Sequence, residues 1–253
     1  MKIAVVTFAI WLGMLVLGPL AFGQAAASAS GATVPAATAA SFQQRYNDTF
    51  IGHPELLSGT EYVDYTRRYH QRKGFPFFLL ADPQQGSVYY NDHYFGNQHL
   101  TYDVVLDQLV LEYPGTPFRL RLVNEKVRAF ALNNHQFVRL VADSTAGTII
   151  RTGFYEVLTE GPVRVLARRA KRLQEQLGQA HIDVEFIPTD KLFLKKNGQY
   201  YALNKKTALL RLLADRNKEV QKYVQAHKLK FQKKRFEASA VELARYYNGL
   251  PPQ

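Results

Sequence analysis

The chain has 253 residues, no cysteine and a formal net charge of +11. Without cysteine it can form no disulfide, no thiolate metal site, no cysteine nucleophile and no lipid anchor at an N-terminal cysteine. Its 15 tyrosines and 16 phenylalanines favour sheet over helix.

The chain opens with MKIAVVTFAIWLGMLVLGPLAFGQ, in which Lys2 is the only charge. The apolar run, its interruption by Gly13, Gly18 and Pro19, and the small residues Ala21 and Gly23 before Gln24 predict a cleaved signal peptide over residues 1–23. An uncleaved anchor is the alternative. Residues 24–45 are rich in Ala, Ser and Thr and predict a flexible leader with little to bury. No later segment has the ~18 consecutive apolar residues that span a bilayer. The expectation is therefore an exported protein, periplasmic or extracellular, soluble or peripherally associated, with no transmembrane segment after cleavage.

Residues 46–204 predict an antiparallel sheet domain. Phe75–Leu80 is an apolar run. Ser87–Tyr90 and His93–Phe95 flank Asn91-Asp92, a two-residue turn signal. From His99 the residues alternate: Leu100, Tyr102, Val104 and Leu106 on one face; His99, Thr101, Asp103, Val105 and Asp107 on the other. Further strands are predicted at Leu109–Tyr113, Phe118–Val123, Val127–Leu132, Gln136–Val141, Gly153–Thr159 and Val163–Ala167. Ile182, Val184 and Phe186 alternate with Asp183 and Glu185. Lys191–Lys195 and Gln199–Leu203 flank Asn197-Gly198, the strongest short hairpin signal. Short strands without intervening helices indicate a meander.

Residues 205–253 predict helices. A short one starts near Thr207. Val220, Tyr223, Val224 and His227 then form one apolar stripe, and Phe236, Ala240, Leu243 and Tyr247 another, stopped by Asn248-Gly249 and Pro251. The fold class expected is α+β: a curved antiparallel β-meander or incomplete barrel, followed by two or three C-terminal amphipathic helices packed on it.

His93, His99, Asp103 and Asp107 raise the question of a metal or acid/base site. Side chains four apart on a strand lie ~13–14 Å from one another, whereas metal ligands converge within about 2 Å of one centre. The cluster is expected to be the solvated face of the sheet, unless His93 lies across from His99. His53 falls in a loop, His70 in the charge-dense TRRYHQRK, His135 in a turn, His181 in a Gln-rich connection and His227 on a helix stripe. The metalloprotease, nucleophile-elbow, phosphate-loop, calcium-loop and dinucleotide motifs are all missing from the sequence. No catalytic residue, cofactor or metal ligand is assigned, and the chain is expected to be non-enzymatic.

Charge is segregated. Residues 24–162 carry 11 Lys+Arg against 13 Asp+Glu, a net of −2; residues 163–253 carry 20 against 8, a net of +12. Two clusters stand out: Arg164, Arg168, Arg169, Lys171 and Arg172, and then Lys228, Lys230, Lys233, Lys234 and Arg235, with Phe231 and Phe236 interleaved. Behind a signal peptide the expected partners are an envelope protein, anionic lipid headgroups or a phosphorylated glycan rather than nucleic acid. The functional expectation is an envelope protein that binds a partner protein or an anionic surface. The alternatives are a periplasmic carrier of an apolar ligand or lipid in the concave side of the sheet, and a hydrolase acting on envelope polymers.

The segments GSVYYNDHYFGNQHLTYDVVLDQLVL, VNEKVRAFALNNHQFVRL, GFYEVLTEGPVRVLARRAK, DRNKEVQKYVQAHKLKF and ARYYNGL resemble an uncharacterised exported protein family of Bacteroidota. The resemblance covers most of the chain after the leader. It implies export and brings no activity and no catalytic residues.

Overall fold

The turns are where the sequence dictates structure most directly. Asn91 and Asp92 have φ of 51° and 63°, and Asn197 and Gly198 have 52° and 79°. This is the left-handed geometry that two-residue hairpins require and that Asn, Asp and Gly adopt at least cost. The first turn joins β3 (Gln84–Tyr90) to β4 (His93–Asp103) and the second joins β13 (Lys191–Lys196) to β14 (Gln199–Leu203). The structure, a computed structural model, describes residues 54–113, 116–142, 149–232 and 234–251. The expected signal peptide and leader, His53 and Lys233 lie outside the described residues.

The remaining strands follow the predicted runs. They are β1 (Thr60–Glu61), β2 (Arg72–Lys73), β5 (Gln108–Glu112), β6 (Arg119–Arg121), β7 (Val127–Leu132), β8 (His135–Leu140), β9 (Gly153–Thr159), β10 (Val163–Arg168), β11 (Lys171–Leu177) and β12 (Ile182–Pro188). Eleven form one sheet in the order β1-β6-β5-β4-β3-β7-β8-β9-β10-β13-β14. It does not close, and register shifts at Gly86/Val88, Tyr89/Tyr90 and Val165/Leu166 interrupt its ladders. Such irregularities bend a strand and increase its twist. The link 122–126 returns the chain from β6 to the far side of β3. β11, β12 and β2 form a second sheet, in which β2 runs parallel to β12. Three helices follow: α1 (Lys206–Leu212), α2 (Asn217–Ala226) and α3 (Phe236–Asn248). The expected α+β class, a bent open antiparallel sheet with C-terminal helices, is the one adopted. No helix of the described residues is long and apolar enough to cross a membrane.

The apolar run Phe75–Leu80 contains Pro76 and joins the sheet through a bridge from Phe77 to Asp103. Two expectations for the early strands need correction. The segments around His93 and His99 are not two strands of separate hairpins but one continuous β4, which carries a positive φ of 54° at Asn97. The strand then stops at Asp103, and Leu106 lies in the following turn, 48% exposed instead of on the core face.

Alternation along β9 explains how the cores are arranged. Phe154 belongs to a core with Val88, Tyr102, Phe130 and Phe137. Leu158, on the same face, packs on a second core of Val163, Val165 and Leu194 with Leu209, Val220 and Leu243 from the helices. The first is aromatic: Phe130 stacks on Phe137 at 4.6 Å, and Tyr102 meets Phe130 and Phe137 edge-on at 5.2 Å. Each such pair adds about 0.5–1.5 kcal/mol beyond area burial. Tyr155 and Val157 face the other way, onto Leu166, Phe193 and Ile150.

Candidate functional site

The face that carries Tyr155, Leu166 and Phe193 also carries a line of cations. β10 pairs with β13 in a register that sets Arg168 opposite Lys191 and Arg164 opposite Lys195. Directly opposed residues of an antiparallel pair share a face, and like charges there destabilise the pair. Arg168 is partly compensated by Asp107, whose Oδ2 accepts from it at 3.4 Å, and its guanidinium lies 5.9 Å from the Tyr155 ring. Asp107 is in turn held by the Tyr102 hydroxyl at 2.6 Å and the Phe154 N–H at 3.3 Å. Arg164 pairs with Glu160. Lys191 has no ion-pair partner among the described residues, and the Lys195 ammonium rests over the Tyr200 ring at 5.1 Å.

A cleft of about 260 Å³ opens at the Arg168–Lys191 end. Among the described residues its cations are Arg151, Arg168, Lys171 and Lys191 and its carboxylate is Asp107; Tyr155, Phe193 and Ile149 supply apolar wall. A smaller hollow of about 170 Å³ at the other end is lined by Arg164, Lys195 and the Asn197-Gly198 turn. The arrangement can hold an anionic group in the larger cleft and continue the contact along the strand pair.

The cations of the first sequence cluster divide by role. Arg168 faces the cleft. Arg169, the next residue, turns its guanidinium to the opposite face, where Glu156 stands between the two cores. It donates through Nε to Glu156 at 2.5 Å, through Nη1 to Asp190 at 2.9 Å and Glu237 at 2.8 Å, and through Nη2 to Glu237 at 2.7 Å. Burial alone would lower its pKa, but the hydrogen bonds and charges of Glu237 and Glu156 raise it well above the ordinary value. Arg169 therefore joins β10 to α3 and is held by protein carboxylates. Lys171 donates to the carbonyls of Phe75 and Phe77 at 2.9 and 2.6 Å, and desolvation lowers its pKa. Arg172 is exposed on β11, where its guanidinium donates to Gln174 at 3.3 Å.

The second cluster lies in the connection between α2 and α3. Lys228, Lys230, Lys234 and Arg235 are exposed. Arg235 precedes α3 by one residue, so this cluster leads into the Glu237–Arg169 pair.

The histidine and aspartate cluster that first drew notice resolves differently from expectation. His93 and His99 lie on the same strand, six residues and so roughly 20 Å apart, and do not meet. His99 is exposed, but Thr101 and Asp103 are 0% exposed. The solvated-face reading fails for them because Tyr62, Phe77 and Val110 pack over that side of β4. Asp103 accepts from the Tyr62 hydroxyl at 2.8 Å, the Tyr65 hydroxyl at 3.4 Å and the N–H groups of Val105 and Leu106 at 2.9 and 3.0 Å. Desolvation raises its pKa, against those hydrogen bonds, and burial with the Asp103 charge pushes the pKa of both tyrosines up. Asp103 thus shapes the turn that carries Asp107.

Among the other histidines, His135 faces the buried Glu156 at 2.5 Å. His227 is exposed and stacks on Tyr223 at 3.8 Å. His70 and His181 come together beside Asp183. In the sequence the first stands among charges and the second in a Gln-rich connection, and nothing local joins them.

No known protein family, curated protein or solved structure matches the chain. Its function must therefore be argued from the geometry above.

Proposed function

We propose that this protein is a non-enzymatic binding protein that takes an anionic group of its partner into the cleft at Arg168 and Lys191. The observation that carries the reading is the cross-strand register: Arg168 against Lys191 and Arg164 against Lys195 on one face. Opposed like charges cost stability when nothing negative lies between them, and Asp107 and Glu160 answer only the arginine of each pair. A phosphate or carboxylate lying between strands would offset the remainder. Export to the cell envelope belongs to the same reading and rests on residues 1–23. The anionic partner is then a headgroup, a phosphorylated glycan or an acidic protein segment. A carrier of an apolar ligand draws on nothing comparable, because Phe78, Phe130, Phe137 and Phe154 fill the space between strands with one another.

The test is binding of the full chain to phosphatidylglycerol vesicles and, separately, to inorganic polyphosphate, each at several salt concentrations. Lys191→Gln combined with Lys195→Gln should weaken both by about tenfold and flatten the salt dependence, since fewer charges are neutralised. Lys228→Gln with Lys230→Gln should have the smaller effect. Binding unchanged by the first pair of substitutions would remove the strand face as the site. Binding to vesicles alone would assign the partner to a lipid surface.

A further inference from the structure

The three-stranded sheet brings two distant stretches of chain to one carboxylate. The His70 N–H donates to the Ile182 carbonyl at 2.9 Å, and the Val184 N–H to the Gln71 carbonyl at 3.0 Å. This parallel register sets His70 beside Asp183, with Nδ1 3.6 Å from Oδ1. The hairpin between β11 and β12 closes through the Gly178 N–H, which donates to the His181 carbonyl at 2.9 Å. It returns His181 to the same carboxylate, with Nε2 3.7 Å from Oδ2. The imidazole centroids are 4.8 Å apart, and one ligand atom from each of the three residues lies within 4.8 Å of the other two.

We propose that His70, His181 and Asp183 bind a divalent transition-metal ion such as Zn²⁺. Bonds of ~2.0–2.1 Å to a tetrahedral ion place ligand atoms ~3.4 Å from one another; the histidine–aspartate separations are 3.6 Å to Oδ1 and 3.7 Å to Oδ2, and with one atom from each residue the three lie within 4.8 Å, a spread that rotation of the exposed imidazoles would close. Two imidazole nitrogens and one carboxylate suit zinc, copper or nickel and not calcium or magnesium, which take oxygen ligands.

The surrounding structure holds the three groups in place. Asp183 Oδ1 also accepts from the Gln71 N–H at 2.9 Å, an outer hydrogen bond of the kind that orients ligating carboxylates. The His181 ring packs onto Gly178, where a Cβ would come within 2.9 Å of it, so a side chain at that position would push the ring aside. His70 follows Tyr69, which is buried against Val184 and Phe186 and donates its hydroxyl to Glu175. Both histidines are exposed and Asp183 is half-buried, so the ion keeps one position open to water. It would clip the segment entering β2 to the β11–β12 hairpin. This site shares no residue with the β10–β13 cations and does not depend on their role.

The chelator-stripped full chain is titrated with zinc chloride by calorimetry. One equivalent should bind, His70→Asn and His181→Asn should each weaken binding at least tenfold, and His99→Asn, on β4, should leave it unchanged. A second measurement needs no variant: ring ¹⁵N spectra of the unaltered chain should show zinc shifting the resonances of two of the seven histidines. Less than half an equivalent bound, affinity unmoved by both ligand substitutions, or shifts spread over all seven rings would each overturn the assignment.

Discussion

Asp103 is the residue whose environment departs furthest from its sequence pattern. Strand parity places it with His99 on a polar face, yet it is fully buried beneath Tyr62 and Phe77. Its folded pKa is raised chiefly by desolvation, so between the unfolded value and that raised value the folded state holds more protons than the unfolded one. Stability contributed by this group is therefore present at low pH and falls as pH rises through the window. Asp103→Asn keeps an oxygen for the Val105 and Leu106 N–H groups and removes the titration. Its stability relative to the parent should rise from about pH 4 to pH 7, measured by urea unfolding at a series of pH values. Asp103→Ala should instead lose about 3 kcal/mol at pH 7, because it leaves buried donors unpaired. If the two variants behave alike, the hydrogen-bonded role of Asp103 is wrong. Arg169 teaches the same lesson in reverse: a sequence of adjacent cations, Arg168-Arg169, splits between a cleft and a buried joint, because β10 ends at Arg168 and Arg169 is drawn to Glu156 and Glu237.

Among the elements, the hairpins were legible because their turn residues carry the geometry. Gly198 has a φ of 79° and nothing within 4 Å of where a Cβ would stand. Gly198→Ala should therefore cost only the left-handed backbone penalty, about 1 kcal/mol, seen as a small loss in thermal stability with unchanged circular dichroism. A larger loss would mean that the turn makes contacts beyond its own backbone. The strand Lys171–Leu177 was not legible. Most of its side chains are exposed, so no apolar alternation marks it, and among the described strands it pairs with β12. Without that strand, His181 reads as part of a connection instead of a hairpin turn, and its approach to His70 goes unseen.

At the scale of the whole molecule, the helices attach to the sheet through apolar packing and through polar contacts, among them the Asn248 amide. Asn248, at the end of α3, accepts from the Val163 N–H at 2.9 Å and donates to the carbonyls of Val163 and Glu160 at 2.7 and 2.9 Å. It takes the place of a neighbouring strand at the β9–β10 turn. In the sequence it signalled only a helix stop; the structure adds a tether. Asn248→Ala should destabilise by about 2 kcal/mol, since it removes the amide's bonds to the Val163 N–H and C=O, and should increase protease cleavage near α3. A loss under 0.5 kcal/mol would show that water replaces the amide freely. The same packing brings Glu237 of α3 to Arg169, so the helical segment and the buried Glu156 are joined by charge as well as by Leu209, Val220 and Leu243.

The sequence by itself determined the class of fold, the hairpin turns at Asn91-Asp92 and Asn197-Gly198, the helical stripes and the concentration of positive charge after Val163. These depend on backbone preferences and on periodicities of two or 3.6 residues, all of which are local. Only the tertiary structure decided that both faces of β4 are covered around Asp103, that Arg168 stands opposite Lys191, and that His70 meets His181 across Asp183. Each of these depends on which strand lies beside which. Pairing between distant strands is settled by how the cores fill, a property of the assembled sheets that no local stretch of sequence contains.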